Sequence, residues 1–274
     1  MKYSTINITI WTWLIVSLGA FSQTNEIGLF LGGSMFHGDI GHQNAEQSIY
    51  NSKPVIGIQL KRNFNYHFGI QISILRGNLY ASDNNSQNDF FVDRNLKFKS
   101  KITEFSLALE FNFRSYLSRD NDYNSTPFVF AGFSKFYFKP QGESLNGIWH
   151  NLQPLNTEGQ GSDLYPNRDI YKLNGIAIPI GIGYKINIYE YITLSFNCGW
   201  RLTFNDYIDD VSSTYVNESV LNSLGEELAD LSSINFEDGF QRGDPYSNDK
   251  YGFFGISILY SIADPNKGCN NIVY

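Results

Sequence analysis

Three aspartates, Asp206, Asp209 and Asp210, fall within five positions of FNDYIDDVSSTYVNES, directly after a run of alternating apolar residues. Carboxylates clustered on a loop suit a hard, oxygen-seeking cation such as calcium, and a close pair of them can share acid–base work. The glycine-centred spacing of an EF-hand is missing. Asp, Ser and Thr in DDVSST are equally able to brace a loop through side-chain-to-backbone hydrogen bonds. Bracing is the expected role, with calcium as the alternative.

Other candidates are sparser. His37 and His42 flank Asp39 in MFHGDIGHQN, yet their spacing matches no strong zinc pattern, and His67 and His150 stand apart. A polar loop is expected there rather than a metal site. Two cysteines, Cys198 and Cys269, make no disulfide framework, and their pairing is open. Lys61, Glu104, Glu110, Arg114, Lys135, Lys185 and Arg201 recur on one face of alternating segments, with both signs represented. They are expected to satisfy one another as an interior ion-pair and hydrogen-bond network. No catalytic set and no cofactor motif is present, so the chain reads as non-enzymatic.

These side chains must be positioned by strands. LNGIAIPIGIGYKIN places Ile176, Ile178, Ile180, Ile182, Tyr184 and Ile186 on one face, opposite Gly175, Ala177, Pro179, Gly181, Gly183 and Lys185. ITLSFNCGWRLTF, TEFSLALEFNFR and FFGISILYSI alternate in the same way, and weaker versions lie near residues 27–35, 55–62, 68–75 and 127–138. Eight strands of membrane-crossing length follow. Their connections alternate, short near 63–66, 118–126 and 188–190, long over 36–54, 77–101, 141–171 and 205–250. The pattern predicts an all-β fold: an eight-stranded antiparallel up-and-down transmembrane β-barrel with short periplasmic turns and long extracellular loops. One face is almost free of charge, as hydrocarbon requires. The other, of Gly, Ala, Ser, Thr and Asn with occasional charges, suits a cramped lumen. Pro179 removes one ladder donor and reads as a bulge or kink. In NESVLNSLGEELADL a surface helix is expected, capped by Asn217 or Ser219, with Leu221, Leu224, Leu228 and Leu231 on one stripe.

The first residues, MKYSTINITIWTWLIVSLGAFSQ, combine a basic start, a short apolar core and a small-x-small site, the pattern of a secretory signal peptide over residues 1–22. The barrel is expected over 23–262 and a periplasmic tail over 263–274, in the outer membrane. Aromatic residues at 16 % agree with aromatic girdles, and a net charge of −7 excludes nucleic acid as a natural partner.

The succession EIGLFLGGSMFHGDIG, FSLALEFNF, TPFVFAGFSKFYFKP, LQPLNTEGQG, IPIGIGYK, TFNDYIDDVSSTY and QRGDPYSNDKYGFFGISILY resembles the PorG-type outer-membrane barrel from Glu26 to Ile262. That barrel is a component of the type IX protein secretion system in a group labelled a domain of unknown function. The resemblance implies a structural, anchoring role. Its partners would be outer-membrane lipid and a periplasmic ring built from a lipoprotein and its partner subunit, tethered to the membrane. The accessible periplasmic surfaces would then be Ser118 to Thr126 and the tail Ala263 to Tyr274. Two departures stand out: the chain continues past the last strand, and Ile262 replaces the aromatic that often closes such barrels. The alternatives are a small porin or ligand-binding barrel and, less favoured, a lipid-modifying barrel enzyme.

Overall fold

Period-two alternation commits each segment to extended backbone, and in lipid every backbone donor and acceptor must then find a partner on a neighbouring strand. The computed structural model, which describes residues 24–41, 45–86, 88–118 and 122–262, meets that demand by closure. Eight long strands run β1 Thr24–His37, β2 Pro54–Asn63, β3 Phe68–Ser82, β4 Lys97–Asn112, β5 Ser125–Glu143, β7 Asn174–Tyr189, β8 Ile192–Thr203 and β9 Lys250–Ile262. A short β6, Trp149–Asn151, extends the rim beside β5. All neighbours are antiparallel, and the β1–β9 ladder from Asn25↔Ile262 to His37↔Lys250 joins first to last. The expected eight-stranded up-and-down barrel is the fold observed.

Strand ends divide the molecule into two unequal rims. The described residues of 64–67, 113–124 and 190–191 form the short-turn end, whereas those of 38–53, 83–96, 144–173 and 204–249 form the long-loop end. Among the described residues the loops carry three short α-helices, α1 Ala45–Tyr50, α2 Asp89–Arg94 and α3 Ser223–Ala229. The expected leucine helix is therefore shorter. Its α-helical part is capped by Asn222, whose side chain accepts from Gly225 N, while Asn217 caps a preceding 3-10 turn. Leu228 is buried, Leu231 just past the helix packs on the core, and α3 meets the loop 144–173 where Glu227 accepts from Leu145 N at 2.8 Å.

The outward face carries a broad apolar belt: Leu29, Leu109 and Ile182 are 61 %, 63 % and 64 % exposed, with Ile58, Ile74, Leu107, Ile180 and Ile258 beside them. Water does not tolerate a contiguous patch of this extent on a monomer, and hydrocarbon does. Among the described residues no helix is long and apolar enough to cross a membrane; the strands do so.

The lumen departs from the expected small and ionic filling in its long-loop half. Phe30, Leu75, Leu79, Phe98, Ile102, Phe136, Phe138, Tyr251 and Phe253 form a packed hydrophobic core inside the barrel. The glycines of IPIGIGYK make room for such rings. A Cβ on Gly183 would lie 2.3 Å from Phe128 Cζ, and one on Gly181 2.4 Å from Phe130 Cζ. Pro179 causes neither bulge nor shift. The β5–β7 ladder lacks the pairs between Ala131↔Ile180 and Ser134↔Ala177 and resumes in the same register.

Candidate functional site

Alternation points Glu26, Lys61, Glu110 and Lys185 into the lumen near the short-turn end, where all four are buried. Lys61 Nζ lies 2.8 Å from Glu110 Oε2, and Lys185 donates to Glu110 Oε1. The two ammonium groups also face rings: Lys61 sits 4.8 Å from the Phe128 centroid and Lys185 4.2 Å from that of Tyr116. Glu26 accepts from Asn63 Nδ2 at 3.1 Å and Thr193 Oγ1 at 3.0 Å. One level higher, Arg201 grips Glu104 through Nε (2.9 Å) and Nη2 (3.0 Å), and Tyr251 donates to the same carboxylate at 2.7 Å. The cavity left between Phe30, Gln59, Leu75, Phe130 and Arg201 is about 20 Å³. That holds roughly one water. It is not a conduit.

Five of the seven charged residues expected inside are therefore brought together, as Glu110 with Lys61 and Lys185 and as Glu104 with Arg201. Two are not. Lys135 is exposed on the outer face between Phe133 and Tyr137, its Nζ 5.7 Å from the Tyr137 ring. The cause is local: both faces of β5 are aromatic, so its alternation does not say which is inner. Arg114 is exposed beyond the end of β4, where the chain has already turned and only its backbone N–H bonds Thr126 Oγ1, at 3.0 Å. Glu26 and Tyr251 belong to this network and were not foreseen, although the alternation of β1 and β9 marks both as inward.

A second constellation lies at the long-loop end. The three aspartates that open the sequence argument turn to different partners. Asp209 accepts from Ile40 N and Val211 N, each at 3.0 Å. Asp210, at φ +73°, accepts from Thr157 and Tyr171. Asp206 accepts from Ser212 Oγ at 2.6 Å. They brace loop 204–249 against 38–53 and 144–173. Among the described residues no group of three or more His, Cys, Asp or Glu side chains could hold a metal ion. The expected calcium alternative thus has no coordinating geometry here.

Around them stand residues that spacing along the chain could not bring together. Arg94 makes a two-pronged pair with Asp83 at 2.8 and 2.9 Å and donates to Asp39 O at 2.7 Å. Arg242 Nη1 lies 3.0 Å from Glu158 Oε1, which also accepts from Ser212 N at 3.0 Å. Asp249 accepts from Ile208 N at 2.8 Å and Asp39 from Asp244 N at 3.0 Å. One oxygen each of Asp39, Asp206 and Asp249 has no hydrogen-bond partner among the described residues.

Burial, the main cause, pushes the Asp206 carboxyl up to about 7 and those of Asp39 and Asp210 to about 6. Burial, reinforced by neighbouring carboxylates, raises Asp209 and Asp249 as well. The described histidines do not converge: His37 is exposed at the long-loop end, His67 Nδ1 meets Asn112 O at 2.9 Å at the short-turn end, and His150 lies in β6. His42 and Cys269 lie outside the described residues, while Cys198 is exposed on the outer face of β8.

A closed barrel with an apolar exterior, a filled lumen and a hydrogen-bonded loop cap defines a small transmembrane β-barrel with a structural interior. The chain belongs to the family described as Domain of unknown function (DUF6089), which matches residues 5–147. No curated protein matches it. Among solved structures it is similar to the attachment invasion locus protein Ail of Yersinia pestis, at 10 % identity over 88 % of this chain and 99 % of that one, with a TM-score of 0.39. Neisserial surface protein A is similar at 8 % identity, 88 % and 99 % coverage and TM-score 0.42. OprG of Pseudomonas aeruginosa is similar at 10 %, 88 % and 98 %, with TM-score 0.42.

Proposed function

We propose that residues 1–22 export the chain and that residues 23–262 form an outer-membrane barrel with its short turns in the periplasm and its long loops outside. In this reading residues 263–274 are a periplasmic tail. The barrel acts as a non-enzymatic anchor of the type IX secretion machinery, tethering a periplasmic ring of a lipoprotein and its partner subunit. The observation that carries an anchoring role is the filled lumen. Glu110 is locked between Lys61 and Lys185, Glu104 is held by Arg201 and Tyr251, and aromatic packing closes the half above. An interior of this kind gives a rigid fixture in the bilayer rather than a route through it. The PorG-type resemblance supplies the identity of what is anchored.

Deletion of the gene should leave type IX substrates trapped in the periplasm, and normal surface delivery in the deletion strain would sink the proposal. A photo-crosslinker at Tyr123, exposed at the short-turn end, should capture a ring subunit in intact cells. The purified barrel should be electrically silent in planar bilayers, whereas steady conductance would revive the porin reading.

A further inference from the structure

The outer surface is not uniformly apolar. On β3, β4 and β5 it changes character along the strands. Toward the short turns the outward residues are Ile72 and Ile74, then Phe105, Leu107 and Leu109, then Phe133, all exposed. Toward the long loops the same faces carry Arg76 on β3, Lys101 on β4, and Lys135 and Lys139 on β5, again exposed. The register makes this a cluster. Lys101 stands directly opposite Lys139, and Arg76 is one diagonal step from Lys101, whose own β3 partner is Asn78. Lys135 lies opposite Phe105, where the apolar belt ends.

Like charges directly opposite each other destabilise a sheet. No carboxylate offsets them: among the described residues none of the four cations forms an ion pair, and nearby Glu143 is taken by Lys97 at 3.3 Å. Aromatic rings, the usual mark of the membrane interface, stand among them, with Tyr137 on β5 and Trp149 4.0 Å from Lys99 Nζ. The protein as a whole carries a net charge of −7, so a patch of uncompensated cations is against its own average.

We propose that this face binds the phosphate headgroup of an anionic lipid in the leaflet on the long-loop side, with its acyl chains lying along Phe105, Leu107 and Phe133. The lysines act as point charges on phosphate oxygens, and clustered cations bordering a bilayer gather anionic lipid. An occupant that is anionic at one end and apolar at the other matches both halves of the face. A soluble phosphate matches one.

The test uses the mature barrel in nanodiscs of equal phosphatidylglycerol and phosphatidylcholine. The protein is extracted into detergent and its retained lipids are counted by native mass spectrometry. Phosphatidylglycerol should be retained over phosphatidylcholine by about tenfold or more. The variant R76Q/K101Q/K135Q/K139Q should lose that preference, and Arg114→Gln, exposed near the short turns, should keep it. Added inorganic phosphate should not displace the lipid. Equal retention of the two lipids by the unmutated protein overturns the proposal, as does the same loss in Arg114→Gln. Displacement by inorganic phosphate reassigns the patch to a soluble anion and overturns it too. The comparison of lipids on unmutated protein requires no variant, so misfolding cannot hide the answer.

Discussion

Charge is buried at both ends of this barrel and is satisfied in opposite ways. In the lumen each acid meets a cation or a full set of neutral donors: Glu110 has Lys61 and Lys185, Glu104 has Arg201. In the loop cap, Arg94 and Arg242 pair with Asp83 and Glu158. Asp39, Asp206, Asp209, Asp210 and Asp249 depend mainly on backbone N–H and hydroxyl donors, and three of their oxygens have none among the described residues. A closed ladder of strands cannot open to admit water, so an uncompensated lumen charge would threaten the whole fold. Loops can open locally, so the cap tolerates carboxylates whose burial makes them hold their protons to higher pH. The difference teaches that the membrane part is built to ignore its surroundings and the cap to respond to them.

The comparison is broken most severely at Glu110. Glu110→Leu leaves two buried ammonium groups, Lys61 and Lys185, without the carboxylate they pair with. Stranding a partner of a buried ion pair costs about 3–5 kcal/mol, and here two are stranded. Urea unfolding in lipid vesicles should show the loss across the whole barrel. The triple replacement K61M/E110L/K185M removes all three charges and should recover most of it. Should the triple variant unfold as readily as the single one, the ion cluster would not be the cause.

Glu158→Leu is the matching break in the cap. It strands Arg242, which is 2 % exposed, and takes the acceptor from Ser212 N and Ser213 N. The local cost is again about 3 kcal/mol, yet it should appear as opening of loops rather than unfolding of strands. Protease should nick residues 204–249 faster while the urea midpoint of the barrel stays near that of the unmutated protein. A shift of that midpoint as large as that of Glu110→Leu would erase the distinction between the two regions.

How much of this was legible follows the range of the interactions. A strand facing lipid shows its period in consecutive residues, so the eight strands, the lipid face and the inward Lys61, Glu104, Glu110, Lys185 and Arg201 could be read directly. Where the two faces of a strand are chemically alike, as in β5, the reading put Lys135 on the wrong side. Alternation also says nothing about where a strand stops, and Arg114 lies two residues beyond the end of β4 at Asn112. The cap was hidden for a different reason. That Asp209 braces a loop was expected from the sequence, but its partner Ile40, 169 positions earlier, is supplied only by the fold. Arg94 and Arg242, 148 positions apart, are likewise joined only by the fold. The aromatic upper core went unread because its rings come from the strand ends near the loops, where the small-residue pattern of the lumen gives way.

The mildest way to sharpen the comparison is to change protons instead of residues. Asp206 in the folded cap has its carboxyl raised by burial from 3.8 to about 7, and Asp39 and Asp210 theirs to about 6. An acid whose folded value lies above its unfolded one holds more protons when folded between those limits, so the stability of the cap falls as pH rises from about 4 to about 7. Loop nicking should accordingly be slower at pH 5 than at pH 8, with urea unfolding of the strands far less affected. Asp206→Asn isolates the contribution of one residue. The amide retains an oxygen able to accept from Ser212 Oγ, but it has no acidic proton to lose, so the variant should resist nicking at pH 8 and match the unmutated protein at pH 5. If Asp206→Asn were instead nicked faster at pH 8, the ionised carboxylate would be a stabilising partner, and an ion gathered by the cap in solution would become the better account of its acids.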